Sequence, residues 1–343
     1  MNRESIRVAI NGSGRIGRAF IRLVHDNENI EIVAINDLVP IDTIEYLLRY
    51  DTVYGRSQFD VFSDGEKLFV GGKEIKYLSE PDPEKLPWGE LDIDIVIEAT
   101  GRFTSYEKSS AHLRAGAKRV VLSAPVKDEA PEGIVGATVL VGVNEEQLAT
   151  CDISSNASCT TNAGSPLVAI LGEAIGIEKA LLNTIHGYTA TQSVVDGPSK
   201  KNKRMGRAAA QNIIPTSTGA AIATTKAHTE LEGLFDGIAM RVPVPNGSIV
   251  DITFIASRDT TVAEVNGLLE SAAGEDRWAG IFAATHEELV SSDILGAPYA
   301  AIADLSLTRV VGGNLVKVLA WYDNEIGYAH TLVRHVLTSG AHI

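Results

Sequence analysis

A glycine-rich turn between a strand and a helix constrains this chain more than any other feature. The apolar run Ile6–Ile10 predicts a buried strand, the turn Gly12–Gly17 (G-S-G-R-I-G) follows it, and Ile16–His25 has the apolar pattern of a helix. In this setting the three glycines permit a tight turn, close approach of a pyrophosphate, and close packing of helix on strand. The helix N-terminus adds N–H donors and a favourable dipole for phosphate. The turn therefore predicts a dinucleotide site.

An acidic residue at the expected distance refines this prediction. Asp37 lies about 20 residues after Gly17 and follows the second apolar run, Ile30–Ile35. A carboxylate at this position accepts hydrogen bonds from the adenosine ribose hydroxyls and repels a 2′-phosphate. The sequence therefore predicts NAD as the cofactor in preference to NADP.

The pattern of apolar runs differs between the two halves of the chain, which predicts two domains. In the first half, short apolar runs such as Ile93–Ala99 and Val120–Leu122 alternate with helical segments such as Tyr106–Ala117, and Gly71-Gly72 suggests an inserted hairpin. Beyond about residue 158, long strand-like runs such as Ile249–Ala256 and Val316–Trp321 have few helices between them. We expect an α/β protein with a Rossmann domain over 1–158 and an α+β catalytic domain over 159–325 on a mixed or antiparallel sheet. The last helix, within 326–343, is expected to pack back on the first domain.

Charge and cysteine usage exclude several classes of function. The formal net charge is −14, which disfavours general binding to nucleic acid or to an anionic membrane. The two cysteines, Cys151 and Cys159, fit no zinc-binding pattern, so no metal site is predicted. No apolar stretch reaches the roughly 18 residues of a membrane helix, and the first residues lack a signal-peptide pattern, so we expect a cytoplasmic location.

A cysteine in polar surroundings is the first candidate nucleophile. Cys159 lies in the segment S-S-N-A-S-C-T-T-N, and Ala163–Ile175 after it has helical character. At the N-terminus of a helix a thiolate is stabilised, which predicts a lowered pKa for the Cys159 thiol. A buried structural cysteine is the alternative, but the flanking hydroxyls and amides argue against it.

A histidine on a predicted strand is the candidate base. His186 lies in L-L-N-T-I-H-G-Y-T, which leads into a long segment, 191–215, without clear periodicity. An imidazole beside Cys159 could take the thiol proton, although most single histidines on strands are structural. The segment 191–215 is predicted to be functional or buried at an interface, the alternative being a solvated basic loop. Its basic residues are Lys200, Lys201, Lys203, Arg204 and Arg207.

Segments along nearly the whole chain resemble the glyceraldehyde-3-phosphate dehydrogenase family. The most specific are S-N-A-S-C-T-T-N around Cys159 and W-Y-D-N-E-I-G-Y at 321–328. Others are I-N-G-S-G-R-I-G-R (10–18), Y-D-T-V-Y-G (50–55), E-A-T-G-R-F-T (98–104), T-A-T-Q (189–192), N-I-I-P-T-S-T-G-A-A (212–221) and R-V-P-V-P (241–245). The resemblance implies a homotetramer with NAD as cofactor and glyceraldehyde 3-phosphate and inorganic phosphate as substrates.

The resemblance also implies roles for individual residues. Cys159 would attack the aldehyde with His186 as base, and the resulting thioester would be resolved by inorganic phosphate. The implied phosphate and substrate contacts are Thr189 and Arg241 for the substrate phosphate, Ser158, Thr218 and Gly219 for inorganic phosphate, and Thr160 beside the thiol. A helical run over 220–231, which Thr218 and Gly219 would open, is expected to aid phosphate binding. The implied cofactor contacts are Asn11, Gly12, Gly14, Arg15, Ile16, Gly17, Asp37, Thr100, Ser123, Asn324 and Tyr328.

The chain departs from the family pattern at a few positions. Ala163 stands where the family often has a second cysteine, four residues after the nucleophile; that thiol has no part in the hydride chemistry. Ser13 stands where phenylalanine is common inside the glycine motif, and Ile326 replaces another common phenylalanine. Both changes are expected to alter local packing alone.

Two alternatives remain open on the sequence. Erythrose-4-phosphate dehydrogenase resembles this chain in fold and in its Cys–His pair, but its members tend to lack the Ser-Thr-Gly segment, which this chain keeps at 217–219, and often carry Glu at the position of Asp37. A non-enzymatic binding protein on the same fold is the second alternative. Every residue with a proposed chemical role is present, which argues against it.

Overall fold

The structure, a computed structural model, describes residues 5–199 and 202–343. The chain forms two compact units, residues 1–157 with 329–343 and residues 158–328. Lys200 and Lys201 of the long loop lie outside the described residues.

The first unit is built on a parallel sheet with a hairpin at one edge. Its strands are β1 (Ile6–Asn11), β2 (Ile30–Asn36), β3 (Tyr50–Asp51), β4 (Gly55–Arg56), β5 (Val61–Asp64), β6 (Lys67–Val70), β7 (Lys73–Leu78), β8 (Ile95–Glu98), β9 (Arg119–Leu122), β10 (Gly136–Thr138) and β11 (Ile153–Ser155). Its first three helices are α1 (Arg15–Val24), α2 (Ile41–Arg49) and α3 (Tyr106–Arg114). The sheet runs β10-β11-β9-β8-β1-β2-β7-β6-β5, parallel except where β5, β6 and β7 pair antiparallel. The predicted parallel α/β domain and its hairpin are confirmed.

Close approach of α1 to β1 depends on the glycine motif. An added Cβ at Gly17 would lie 2.2 Å from the carbonyl oxygen of Gly12, and Gly12 itself has a φ of +100°. Both positions therefore require glycine. The apolar face of α1 then packs on the central strands, in a core that includes Ile10 of β1 and Phe20 of α1, both fully buried. Burial of such a side chain stabilises the fold by about 1.5–3 kcal/mol.

The second unit is built on a mixed sheet. Its helices are α4 (Cys159–Ile175), α5 (Ala220–Thr225), α6 (Val262–Ala273) and the start of α7 (Ile326–Gly340), whose later residues belong to the first unit. Its strands are β12 (Ile177–Gly187), β13 (Ile214–Ser217), β14 (Phe235–Val242), β15 (Ser248–Ala256), β16 (Phe282–Thr285), β17 (Ala301–Asp304), β18 (Arg309–Val311) and β19 (Leu315–Tyr322). The order is β13-β14-β12-β15-β19-β17-β16, with β18 beside β19. Because β12–β14 and β16–β17 are parallel and the other pairs antiparallel, the predicted mixed sheet is confirmed.

The predicted helical run over 220–231 is wrong beyond its first six residues. Helix α5 ends at Thr225, and His228 (φ −120°, ψ 71°) has left the helical region before a short 3₁₀ turn, Thr229–Leu231. Threonine is a poor helix former, and the hydroxyl of Thr224 bonds back to the carbonyl of Ala220. Local side-chain bonding therefore ends the helix early.

The long segment after β12 is mostly irregular, as predicted, but not throughout. It contains two 3₁₀ turns, Lys203–Gly206 and Ala209–Gln211. Its last two residues, Ile214 and Pro215, begin β13, where they pair with β14. Within the described ranges, no helix is long and apolar enough to cross a membrane.

Candidate active site

The candidate nucleophile is the first residue of α4. Ser158 has extended backbone angles (φ −114°, ψ 164°) and caps the helix by accepting a hydrogen bond from Thr161 N, so Cys159 is the first helical residue. Ala157 before it has a φ of +52°, a left-handed conformation that costs a non-glycine residue about 1–2 kcal/mol. The chain thus makes a sharp, strained turn directly before the thiol, as active-site segments often do.

Strand pairing carries His186 and Arg241 to the same row of the second unit's sheet. His186 near the end of β12 pairs with Arg241 on parallel β14 and with Ser248 on antiparallel β15. Ser248 in turn pairs with Tyr322 on β19. Four residues that are up to 136 positions apart in the chain therefore lie in adjacent register across four strands.

The thiol and the imidazole are in contact. Cys159 Sγ lies 3.4 Å from His186 Nε2, within the range of a sulfur hydrogen bond. His186 Nδ1 lies 2.6 Å from the carbonyl oxygen of Gly187. A carbonyl only accepts, so in the tautomer with a proton on Nδ1 this nitrogen donates to Gly187 and the lone pair of Nε2 faces the thiol. Arg241 Nη1 lies 2.5 Å from Nδ1 and donates to the same carbonyl at 3.2 Å. Because a guanidinium only donates, a proton on Nδ1 and a hydrogen bond from Nη1 to Nδ1 exclude one another.

Burial and the guanidinium set the protonation of the pair. Burial, and then the charge of Arg241, lower the pKa of His186 to about 3, so the imidazole is neutral near pH 7. Burial raises the pKa of the Cys159 thiol, and Arg241 and hydrogen bonds involving Thr160 oppose that rise without cancelling it. The predicted lowering of the thiol pKa is therefore wrong for this structure, because desolvation outweighs the helix N-terminus. A neutral thiol faces a neutral base.

A buried tyrosine supports this pair, and the sequence reasoning did not single it out. The Tyr322 hydroxyl is 2.9 Å from Thr160 Oγ1 and 2.7 Å from Thr184 Oγ1. Its ring meets the His186 ring edge to face, with centroids 5.8 Å apart. Burial raises the pKa of Tyr322 well above its usual value, so the hydroxyl stays protonated and can bond both threonines. The sequence feature that could have pointed to Tyr322 was its position in the specific W-Y-D-N-E segment.

The polar residues predicted to hold phosphate are spread over the same unit. Arg241 Nε is buried without a hydrogen-bond partner among the described residues, which leaves one donor for an anion. Thr189 Oγ1 lies 2.9 Å from Thr191 Oγ1, and Thr218 Oγ1 accepts from Ala220 N at 3.1 Å. An added Cβ at Gly219, the residue before α5, would meet nothing within 4 Å, so backbone is accessible there.

The glycine motif opens on a cavity of about 300 Å³ in the first unit. It is lined by Asn11, Gly12, Gly14, Asn36, Asp37, Leu38, Val39, Glu80, Pro81, Pro83, Ala99, Thr100, Arg102 and Phe103. An added Cβ at Gly14 would meet nothing within 4 Å, so it would project into this space, which a bound pyrophosphate needs. With an acidic side chain, backbone donors and apolar walls, the cavity fits the adenosine half of a dinucleotide.

Comparison with known proteins agrees with this arrangement. Residues 6–106 match the family model described as "Glyceraldehyde 3-phosphate dehydrogenase, NAD binding domain", and residues 158–324 match the model of the C-terminal domain of the same family. The chain belongs to the glyceraldehyde-3-phosphate dehydrogenase family. It is 46% identical over 331 residues to a Geobacillus stearothermophilus protein named glyceraldehyde-3-phosphate dehydrogenase, covering 96% of each chain. A Streptomyces coelicolor protein of the same name is 48% identical over 332 residues, covering 96% of this chain and 97% of the relative. The family resemblance, the fold class and NAD as cofactor are thereby confirmed.

Several predicted NAD contacts are engaged with protein groups in this member of the family. Arg15 forms an ion pair with Asp51 and its guanidinium lies 5.7 Å from the Tyr54 ring centroid, while Ile16 packs against the core. Ser123 Oγ donates to the carbonyl of Glu98 at 3.1 Å. These three predicted contacts lie outside the residues that line the cavity.

The two predicted contacts from the second unit are buried. Asn324 Oδ1 accepts from Gly247 N at 3.1 Å and from Ser248 Oγ at 2.9 Å, which fixes the orientation of its amide. Tyr328, near the start of α7, is 3% exposed.

A buried carboxylate beneath the cavity was missed by the sequence reasoning. Glu98, which is 2% exposed, accepts from Asn11 Nδ2 at 2.6 Å and from Thr100 N at 2.8 Å, and Asn11 and Thr100 both line the cavity. His112 Nε2 lies 3.1 Å from Glu98 Oε2, and Trp88 Nε1 lies 3.0 Å from His112 Nδ1. Because an indole only donates, His112 Nδ1 accepts and Nε2–H donates to Glu98. The network thus holds Asn11 and Thr100, two residues of the cavity wall, in place. The sequence indication of this role was the position of Glu98 at the start of the E-A-T-G segment.

Proposed function

We propose that the chain is an NAD-dependent, phosphorylating glyceraldehyde-3-phosphate dehydrogenase that uses Cys159 as nucleophile and His186 as base. The observation that carries the proposal is the 3.4 Å contact of Cys159 Sγ, at the start of α4, with Nε2 of His186, in a member of this family. The runner-up readings are erythrose-4-phosphate oxidation and a binding role without catalysis.

The first half of the reaction forms a thioester on Cys159. His186 Nε2 takes the thiol proton as sulfur forms a bond to the aldehyde carbon, and the backbone N–H of Cys159, which has no intrahelical acceptor, is a donor for the resulting oxyanion. His186 returns the proton to the oxyanion, which gives the thiohemiacetal. The aldehyde hydrogen then leaves as hydride while His186 takes the hydroxyl proton back, so the thioester forms with one proton held at Nε2. NAD, when bound, accepts that hydride.

The second half transfers the acyl group to phosphate. An oxygen of inorganic phosphate attacks the thioester carbonyl, the carbon–sulfur bond breaks, and Cys159 is released with 1,3-bisphosphoglycerate as product. Arg241 and Thr189 are proposed to hold the substrate phosphate, and Ser158, Thr218 and Gly219 the inorganic phosphate. The unpartnered Nε of Arg241 supports this assignment, because a guanidinium binds phosphate in bidentate fashion. Thr160 is proposed to act beside the thiol, with its hydroxyl held by Tyr322.

The proposed cofactor contacts form two groups, one for the adenosine and pyrophosphate and one for the nicotinamide. Asn11, Gly12, Gly14, Gly17, Asp37 and Thr100 are proposed for the adenosine and pyrophosphate side, with Arg15, Ile16 and Ser123 as further contacts. Asn324 and Tyr328 are proposed for the nicotinamide side. The domain roles are those of an NAD-binding domain over 1–158, with the last helix, and a catalytic domain over 159–325. A cytoplasmic homotetramer is part of the proposal.

The test is NADH formation by purified protein with glyceraldehyde 3-phosphate and NAD, with and without inorganic phosphate. We expect phosphate-dependent turnover that Cys159→Ser reduces by at least about 10³-fold, since the nucleophile is lost. Cys151→Ser is the matched control, because Cys151 is buried (3% exposed) and has no role in the reaction. Turnover that is independent of phosphate, or faster on erythrose 4-phosphate, would move the assignment to the hydrolytic relative. NAD binding without turnover on either sugar would support the non-enzymatic reading.

A further inference from the structure

The serine inside the glycine motif is bonded to the acidic residue that faces the cofactor cavity. Ser13 N and Ser13 Oγ each lie 2.7 Å from Asp37 Oδ2. Val39 N donates to the other oxygen, Asp37 Oδ1, at 3.1 Å. Ser13 is 1% exposed, so its hydroxyl is removed from solvent and its bond to the carboxylate is not shared with bulk water. The prediction that serine at position 13 changes local packing alone is therefore wrong, because Ser13 also donates hydrogen bonds to Asp37.

The hydroxyl bond is a property of this residue type and not of the turn. Any residue at position 13 other than proline has the backbone N–H, but only a side chain with a short donor can add the second bond to Oδ2. Phenylalanine, which is common at this position in the resemblance set out above, has no such donor. The doubly bonded carboxylate is therefore specific to chains with serine or threonine here.

Because Ser13 fills both acceptor sites of Asp37 Oδ2, the carboxylate can accept from a ribose hydroxyl only through Oδ1. Each carboxylate oxygen has two acceptor sites, so the two bonds from Ser13 fill Oδ2, and Val39 N takes one site on Oδ1. One acceptor site on Oδ1 is left for a ribose hydroxyl in the cavity that Asp37 lines. Rotation of the side chain away from the cavity would break the bonds to Ser13, so the negative charge stays where a 2′-phosphate would lie.

We propose that Ser13 is a positioning residue whose hydroxyl locks Asp37 in the orientation that binds the adenosine ribose and excludes a 2′-phosphate. The inference rests on the proposed cofactor role of Asp37. It makes Ser13 a determinant of the selectivity for NAD over NADP in this chain.

The experiment measures equilibrium binding of NAD and of NADP by titration calorimetry, so it does not depend on turnover. We expect Ser13→Ala to weaken NAD binding by about fivefold and to reduce the ratio of the NADP and NAD dissociation constants by about tenfold, because one charge-assisted hydrogen bond is lost. Ser13→Thr keeps the hydroxyl and is expected to keep the ratio within about twofold. Ser13→Cys, nearly isosteric with a weak donor, gives a second test if the alanine variant does not fold.

A double substitution separates positioning from packing. In an Asp37→Ala background the acceptor of the Ser13 hydrogen bonds is gone, so Ser13→Ala should change neither dissociation constant further. A Ser13→Ala variant that keeps the wild-type ratio, or an equal loss in the Asp37→Ala background, would overturn the proposal. Alkylation of Cys159 by iodoacetamide should be unchanged in every folded variant, so failure here is distinguishable from failure of the proposed reaction.

Discussion

At the scale of single residues, Arg241 is the group that acts on both members of the proposed catalytic pair, Cys159 and His186. Its charge lowers the pKa of Cys159, against the larger effect of burial, and also lowers the pKa of His186. The two effects have opposite consequences for catalysis, since one favours the thiolate and the other weakens the base. Anion binding at Arg241 would therefore change the reactivity of the thiol as well as hold the substrate.

Replacing Arg241 with glutamine should make the thiol less reactive at neutral pH. The positive charge that favours the thiolate is lost, so the pKa of Cys159, already raised by burial, should rise further. The measurement is the rate of Cys159 carboxamidomethylation against pH, followed by mass spectrometry to separate it from Cys151. The alkylation profile should move to higher pH. Arg258→Gln is the control, since Arg258 is an exposed arginine paired with Glu264; equal profiles for the two variants would contradict the account.

The sequence predicted Cys159 and His186 as residues, but not the balance of forces between them. A cysteine at a predicted helix start favours the thiolate, and that part of the argument is local. Burial of the thiol, and the register that carries Arg241 to the imidazole, depend on strands β12 and β14, which are separated by 47 residues. Contacts of that kind, like those of Tyr322, cannot be obtained from local spacing.

At the scale of elements, the second and third glycines of the dinucleotide turn, Gly14 and Gly17, have different structural roles. An added Cβ at Gly17 would lie 2.2 Å from the Gly12 carbonyl oxygen, whereas one at Gly14 would meet nothing within 4 Å. Gly17→Ala should therefore push α1 off β1 and destabilise the first unit by about 3 kcal/mol or more. Gly14→Ala should leave the melting temperature within about 2 °C of the wild type and weaken NAD binding by about tenfold or more, because the methyl enters the cavity.

Thermal unfolding and calorimetric NAD titration of both variants test this division of tasks. A Gly14→Ala protein that binds NAD normally would show that the pyrophosphate does not approach this residue. A Gly17→Ala protein with unchanged melting temperature would show that the helix can shift at little cost.

Elements with strong periodicity or turn chemistry were predictable, and elements that depend on tertiary contacts were not. Strands β1, β2, β8 and β9, the β6–β7 hairpin and helix α4 follow from apolar runs, from Gly71-Gly72 and from the polar segment before Cys159. The end of α5 at Thr225 is a local effect that the apolar pattern did not predict, since it involves a threonine hydroxyl that bonds to its own helix. The buried His335 of α7 illustrates the limit set by tertiary contacts: its Nδ1 lies 3.1 Å from Asn156 Oδ1 and its Nε2 lies 2.7 Å from Ser154 Oγ. No sequence motif predicted these two contacts of His335.

At the scale of the whole molecule, one face of the second unit's sheet is apolar and exposed. Leu181 on β12 is 66% exposed and Ile238 on β14 is 50% exposed, and both line a shallow cavity of about 480 Å³ with the ion pair of Lys317 and Asp251. A sheet face of this kind seldom remains open to water in a monomer. It is the surface on which we expect the proposed homotetramer to associate.

Introducing charge on this face should weaken the assembly without disturbing the fold. Leu181→Glu and Ile238→Glu place carboxylates where apolar side chains would otherwise be buried between copies, so each should shift the molar mass measured by light scattering from a tetramer toward a dimer or monomer. Phe62→Glu, a 45% exposed aromatic side chain on the first unit, is the matched control and should leave the mass unchanged. A wild-type protein that is monomeric at micromolar concentration would remove the homotetramer from the proposal. Tetramers that persist in both variants would place the interface on another surface, and the exposed sheet face would then need a different partner.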